Sequence, residues 1–288
     1  MDKITRFRAY QLGEKGASFS LAVDNDFTLL EARLNDYNRK NVFYEMRMAG
    51  VNRITLLHIT SWDEDHCKPS ELSYILENLK PYRIEIPGYQ PDTECGKESL
   101  RMISNYLRQD NVYGNRIDPN FINNLEPGVS ATYSTILYNP SSVREKHNDM
   151  STVALFRKGR FTILSLGDCE NSEIAQSIMN DSIASGETDV MLMAHHGADN
   201  GFTTDEFIKE IAPKIAICAS DYDNQYDHPR QEIRQILYDN DVHLYTTKTG
   251  DVLVVCGTDN KVHVTNYKGN GEDISSEYDF KPKFTVKQ

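Results

Sequence analysis

The sequence predicts an α/β fold of two mixed β-sheets packed face to face, with helices on the outside. Three observations carry this expectation. Strand-like segments cluster at both ends of the chain, strand–loop–helix units alternate between them, and polar, histidine-rich stretches follow immediately on the apolar strands of those units. Antiparallel segments flanking strand–helix units suit a layered sandwich. Open α/β sheets place their ligands just beyond the strand ends.

In chain order, "TRFRAYQL", "SFSLAV" and "FTLLEARL" read as strands, and residues Asn38–Ala49 read as a helix. "RITLLHI" is a buried strand by its apolar and β-branched run. "KPSELSYILENL" opens on Pro69–Ser70 and repeats Leu72, Ile75, Leu76 and Leu79 at helical spacing. "YRIEI" is a short strand, and Glu98–Asp110 suits a helix. "SATYSTILYN", "MSTVALFR" and "RFTILSL" are consecutive strands, the last two joined by the turn "KGR". Three strand–helix units follow: "FTILSL" into "GDCENSEIAQSIM", "DVMLMA" into "HHGADNGFTTDEFIKEI", and "KIAICAS" into "DYDNQYDHPRQEIRQIL". "VHLYTT", "GDVLVVC" and "KVHVTNY" close the fold. No linker or repeat divides the chain, so residues 1–268 are expected to form one domain, with 269–288 a polar tail or an extra strand.

Composition narrows the function classes. No window approaches the roughly 20 consecutive apolar residues of a membrane span, so no membrane partner is expected. The opening "MDKITRFRAYQLGEKG" lacks the apolar core of a secretory signal. The five cysteines are odd in number and never form a C-x-x-C pair, which favours reduced thiols and a cytoplasmic location. The net charge of −12 repels a polyanion at long range. Nucleic-acid binding therefore needs a local basic groove, metal ions or a partner.

Four clusters carry the chemistry, each at a strand end: Asp63-Glu64-Asp65-His66, Gly167-Asp168, His195-His196-Gly197 and His228-Pro229. Taken singly, each has an ordinary reading as loop charges, a turn with a helix cap, or a helix entry. Jointly they place carboxylates and imidazoles, the usual ligands of Zn²⁺ and Mn²⁺ in hydrolases, at four strand ends. Cys67 and Cys169 each follow a proposed ligand; they read as core thiols, with thiolate ligation the alternative. Trp62 reads as core or rim packing, and Tyr222 and Tyr226 flank the His228 loop. Arg230 and Arg234, one helical turn apart, read either as phosphate contacts or as surface charges.

Order, spacing and flanks resemble the metallo-β-lactamase fold, in the branch of the competence-protein ComEC C-terminal domain. That branch carries T-H-P-D-A-D-H after a strand, then an N-x-S strand and G-D, H-H-G-S and G-H-P turns. The matching pieces are "TSWDEDH", "HNDMSTVAL", "SLGDCE", "MAHHGAD" and "YDHP", over Arg6 to about Val264. The resemblance implies an αββα sandwich binding one or two Zn²⁺ or Mn²⁺ ions. It implies Asp65 and His66 on one metal completed by His195, Asp168 bridging or completing that site, and Asp63 on the other metal. Asp65, His196 and His228 are the implied catalytic residues. Ser61, Asn148, Ser151 and Arg230 would meet the substrate.

Three departures stand out. The family's first histidine is Ser61 here, the "IDGG" turn that supplies a structural aspartate reads "LLEARL", and "DHIGG" reads "DHCKPS". The resemblance implies a freestanding bacterial phosphodiesterase, a nuclease using metal-activated water. Its substrate would be a nucleic acid or nucleotide, and protein partner subunits in DNA uptake or antiviral defence are compatible with it. A small-nucleotide phosphodiesterase is one alternative. Another is a degenerate, non-catalytic subunit that regulates a partner, motivated by Ser61 and the missing glycines. Hydrolysis of an ester, lactone or lactam fits the H-H-G and H-P turns less well.

Overall fold

The computed structural model describes residues 4–124, 135–139, 145–269 and 271–283. The "SATYS" half of one expected strand lies outside them. The described strands, in chain order, are β1 (Thr5–Ala9), β2 (Phe19–Val23), β3 (Asp26–Leu30), β4 (Leu56–His58), β5 (Arg83–Pro87), β6 (Tyr113–Ile117), β7 (Thr135–Asn139), β8 (Val153–Phe156), β9 (Ile163–Ser165), β10 (Val190–Leu192), β11 (Ile215–Cys218), β12 (His243–Thr246), β13 (Val252–Cys256), β14 (Val262–Tyr267) and β15 (Ile274–Phe280). The helices are α1 (Arg39–Met48), α2 (Pro69–Tyr74), α3 (Glu94–Tyr106), α4 (Pro119–Asn123), α5 (Ser172–Met179), α6 (Ser182–Glu187), α7 (Asp205–Ile211) and α8 (Gln231–Asp239).

They build two sheets, ordered β15-β14-β13-β1-β2-β3-β4-β5-β6 and β12-β11-β10-β9-β8-β7. The first is antiparallel up to β3 and parallel from β3 to β6. The second is parallel from β12 to β9 and antiparallel through β8 and β7. Strand alternation sorts the side chains into layers. Ile163, Val190, Leu192, Ile215 and Ile217 face Phe7, Phe19 and Leu21 between the sheets. Their neighbours Leu164, Met191 and Ala216 face outward onto Ile174, Phe207 and Ile233 of α5, α7 and α8. On the other side Leu57 and Ile84 pack with Met46, Leu72 and Ile103 of α1, α2 and α3. Strands buried on both faces read as continuous apolar runs, as "FTILSL" and "KIAIC" do. The fold is the αββα metallo-β-lactamase sandwich that the sequence led us to expect.

Local chemistry sets the helix starts. Thr93 caps α3 by accepting from Gly96 N, Asn171 caps α5 from Glu173 N, and Thr204 caps α7 from Phe207 N. The Thr93 cap starts α3 four residues ahead of the expected Glu98. Of the segment read as a polar tail or an extra strand, 274–280 is β15, paired with β14 and anchored by the buried Phe280. Beyond it, Lys283 N donates to Asp189 Oδ1 at 2.7 Å. β6, α4 and α6 had no counterpart in the sequence reading. β6 is "YGNRI", a largely exposed edge strand with no alternation to betray it.

Candidate metal centre

The parallel strands β3, β4, β9, β10 and β11 release their loops at one edge of the sandwich, and the four polar clusters meet there. After β4, residues 63–67 fold into a tight turn, with His66 N and Cys67 N both donating to the Asp63 carbonyl at 2.9 and 2.8 Å. After β9, Gly167 takes φ +55°, and a Cβ there would lie 2.8 Å from the Ser151 Cβ. Glycine at this turn lets Asp168 come in against the Ser151 segment. After β10, His195 and His196 both adopt positive φ, +42° and +54°. This irregular turn sends the two adjacent imidazoles to different partners.

Four buried side chains converge. His66 Nε2 lies 2.8 Å from Asp168 Oδ2. His196 Nε2 lies 3.5 Å from Asp65 Oδ2 and 3.8 Å from Asp168 Oδ1. Asp65, His66 and His196 each present one ligand-type atom within 4.8 Å of the others, and so do Asp63, Asp65 and Asp168. The far nitrogen of each ring is pinned. His196 Nδ1 donates to the Ala219 carbonyl at 2.7 Å, while His66 Nδ1 faces Glu31 Oε1 at 3.2 Å and Thr60 Oγ1 at 3.3 Å. Glu31 is itself fixed, accepting from Thr60 N at 3.0 Å and Thr60 Oγ1 at 2.6 Å.

The inward atoms are different. His66 Nε2, His196 Nε2 and Asp168 Oδ1 are buried without a properly directed hydrogen bond. Such orphaned polar atoms are uncommon and costly inside proteins. Here they aim at one another across a few ångströms, with their outer atoms held by carboxylate and carbonyl partners. That is how metal-ligating histidines are oriented, and the donor set fits a divalent cation. The electrostatics agree. Burial opposes charge on every member, yet Asp168 and Glu31 hold the His66 pKa well above its ordinary value. Against the same burial, His196 and His66 hold the Asp65 carboxyl far below the carboxylate range. Carboxylates that draw protons onto two imidazoles so strongly draw a divalent ion by the same field.

The other expected residues stand around this centre. Asp63 is half-buried at its edge, its pKa raised by burial and by Asp168. His195 falls outside both ligand groups; its Nδ1 lies 2.8 Å from Glu170 Oε1, which also accepts from Asn148 Nδ2 at 2.9 Å. The His228 ring lies 6.0 Å from His195 and stacks on Tyr226 at 5.6 Å. Burial, His196 and His195 push its pKa down to about 4. Ser61 is buried, its hydroxyl 3.2 Å from the Tyr89 hydroxyl and accepting from Asp63 N at 3.3 Å. Ser151 is buried behind Gly167. Arg230 is exposed and donates to the Tyr226 carbonyl at 3.4 Å, and Arg234 lies at a separate groove with Leu237 and Tyr238. Cys67 and Cys169 are core thiols on the helix-facing sides of the two sheets, and burial pushes Cys67 up to about 12. Trp62 is buried, its Nε1 donating to the Tyr89 carbonyl at 3.0 Å.

A cavity of about 390 Å³ opens over the centre, lined by Asp63, Asp65, Asp168, Asn148 and His195 together with Lys15, Arg33 and Lys68. Lys15 Nζ lies 2.8 Å from Asp65 Oδ2. Lys15, Glu31 and Glu170 were not among the candidates read from the sequence. Glu31 had a signal, since it stands in the turn where a structural carboxylate was sought. Lys15 had none, because a lysine in a polar hairpin loop is unremarkable.

Layers, strand order and a carboxylate–histidine centre at the strand ends together define a metallo-β-lactamase-type sandwich. No protein-family model matches the chain. Among curated proteins it is similar to ComE operon protein 3 of Bacillus subtilis (strain 168), 26% identical over 199 residues that cover 69% of this chain and 24% of that protein. That similarity bears out the resemblance carried by the motifs, although the match spans only about a quarter of the relative's length. Among solved structures, the CmlA β-hydroxylase E377D mutant matches with a TM-score of 0.51 at 12% identity, covering 88% of this chain and 54% of that one. At such identity the likeness is one of fold. Igni18, a metallo hydrolase from Ignicoccus hospitalis KIN4/I, matches with a TM-score of 0.49 at 13% identity, covering 87% and 98% of the two chains.

Proposed function

We propose that this protein is a metal-dependent hydrolase of phosphodiester bonds. One observation carries the reading: Asp65, His66 and His196 each present a ligand-type atom within 4.8 Å of the others, Asp168 Oδ2 lies 2.8 Å from His66 Nε2, and each ring is already fixed through its other nitrogen. Asp65, His66, Asp168 and His196 would hold the ion, with Asp63 adjoining. Mixed imidazole and carboxylate donors suit Zn²⁺ or Mn²⁺. When bound, such an ion polarises a phosphoryl oxygen and acidifies water.

The chain's own residues do the rest. His195, oriented by Glu170, lines the cavity and is placed to give a proton to a leaving oxygen. With its pKa near 4, His228 is neutral at physiological pH and presents a hydrogen-bonding ring rather than a charge. Asn148 holds Glu170 in place. The resemblance to the ComEC branch supports phosphodiesters over lactams and esters, and the Lys15 ammonium on the cavity wall beside Asp65 suits a phosphate oxygen. The acidic surface favours a small nucleotide, or a nucleic-acid strand delivered by a partner subunit, over unaided duplex binding. The five cysteines form no disulfide among the described residues, which fits a reducing compartment, the cytoplasm. No helix among the described residues is long and apolar enough to cross a membrane.

The non-catalytic reading keeps one specific support: Ser61 stands where the family has a histidine, and its hydroxyl is engaged by Tyr89 and Asp63 N. A substrate screen with Mn²⁺ separates the readings. Bis-p-nitrophenyl phosphate, single-stranded DNA and a cyclic dinucleotide are set beside a lactam and a simple ester. The proposal expects turnover of at least one phosphodiester, abolished by Asp168→Ala. Turnover of the lactam or ester alone, or of nothing at all, goes against it.

A further inference from the structure

The half of the centre around Asp63 is short of a donor. Ser61 stands where an imidazole was expected, and its hydroxyl is committed to Tyr89 and Asp63 N. What remains there is Asp63 beside Asp65 and Asp168, which His196 and His66 face from the other side, with oxygens of the three carboxylates within 4.8 Å of one another. Like charges that close need a positive partner. Lys15 Nζ stands 2.8 Å from Asp65 Oδ2, on the cavity wall and 5.6 Å from the Tyr226 ring.

The backbone that carries this lysine is built into the fold, although its side chain is 58% exposed. The loop joining β1 to β2 lies directly on the ligand turn, where Ala17 N donates to the Asp65 carbonyl at 2.9 Å. Gly16 between them has φ +139°, and a Cβ there would fall 2.1 Å from Arg33 Nη1 and 2.7 Å from the Asp65 carbonyl. Only glycine allows that approach. The Lys15 carbonyl accepts from Arg33 Nη1 at 2.8 Å, and the buried Arg33 is clamped by Glu71 at 3.1 Å and Glu14 at 2.6 Å. The backbone that carries Lys15 is thus tied on both sides to elements of the site.

We propose, resting on the hydrolase reading above, that the Lys15 ammonium takes the place of a second metal ion beside Asp65. The centre then takes one divalent ion, and the Lys15 ammonium meets a non-bridging oxygen of the phosphoryl group. This converts the loss of the first histidine from a defect into half of an exchange: an imidazole and an ion are replaced by one lysine.

Calorimetric Mn²⁺ titration of wild type, Lys15→Met, Ser61→His and the Lys15→Met/Ser61→His pair tests it, with folding checked by circular dichroism. Wild type and Ser61→His are expected to bind one ion, and the double variant two. Lys15→Met alone should bind its ion about tenfold more tightly, the order expected when one charge near a divalent ion is removed. Its phosphodiester turnover should fall by about a hundredfold. Two ions in wild type or in Ser61→His, or one in the double variant, overturn the assignment of Lys15 while leaving the hydrolase reading intact. No binding by wild type overturns that reading and this one with it. Histidine is far larger than the fully buried Ser61; if Ser61→His does not fold, Lys15→Met decides alone, and unchanged affinity and turnover refute the role.

Discussion

Glu31 and His66 form a buried carboxylate–imidazole pair, Oε1 lying 3.2 Å from Nδ1, with Thr60 bonded to both. The pair joins the end of β3 to the ligand turn after β4, and Ala32 N donating to the His66 carbonyl at 2.7 Å closes the link. Its consequence is that His66 can present only Nε2 to the centre.

Removing the Glu31 charge while keeping its shape should therefore weaken metal binding without dismantling the fold. Outer partners of ligating histidines are worth about 10–100-fold in metal affinity. Glu31→Gln is expected to raise the Mn²⁺ dissociation constant by that factor, read by titration. An unchanged constant would mean that His66 needs no such support.

The adjacent histidines should separate cleanly. His196→Ala removes a converging nitrogen and is expected to strip the ion on dialysis. His195→Ala leaves the converging group whole, so the ion should stay while turnover falls by about 10²–10⁴-fold, the usual range for a lost general acid. Metal content and rate, measured on both variants, check this. Loss of the ion from His195→Ala and its retention by His196→Ala would reverse the two roles.

That distinction shows where sequence reading stops. The sandwich was legible because alternating strand–helix units with doubly buried strands admit few architectures, and the clusters were legible because each follows such a strand. Which of two neighbouring histidines turns inward depends on a turn with both residues at positive φ, and no periodicity reports that. Glu31 lies in the stretch "LLEARL" that departs from the family's turn, yet the residue takes a positive φ and its carboxylate reaches His66. Lys15 acts from a hairpin some fifty residues before the ligand turn, a proximity that only the β1–β2 register creates. β15 is polar on most of its length, so pairing with β14, rather than any apolar pattern, makes it a strand.

Away from the centre, Asp189 governs a pH effect. It accepts from Thr162 N at 3.0 Å and Lys283 N at 2.7 Å, and burial raises its pKa to about 6. The unfolded chain releases this proton near pH 4 and the folded chain near pH 6, so between those values the folded state binds more protons. Stability attributable to Asp189 therefore falls as pH rises through that window, by up to about 3 kcal/mol. The melting temperature of Asp189→Asn relative to wild type should climb between pH 4 and about 6.5. A difference that stays flat with pH contradicts the raised pKa.

The chemistry of the site depends most on one ion held at the meeting point of the strand ends. Diffraction from crystals soaked in Mn²⁺, recorded for the ion's anomalous signal, tests this directly. The expected result is a single peak at about 2.0–2.3 Å from His66 Nε2, His196 Nε2 and oxygens of Asp65 and Asp168, with Lys15 still beside Asp65. No peak there, or an ion held by His195 and Glu170 instead, would contradict the central claim.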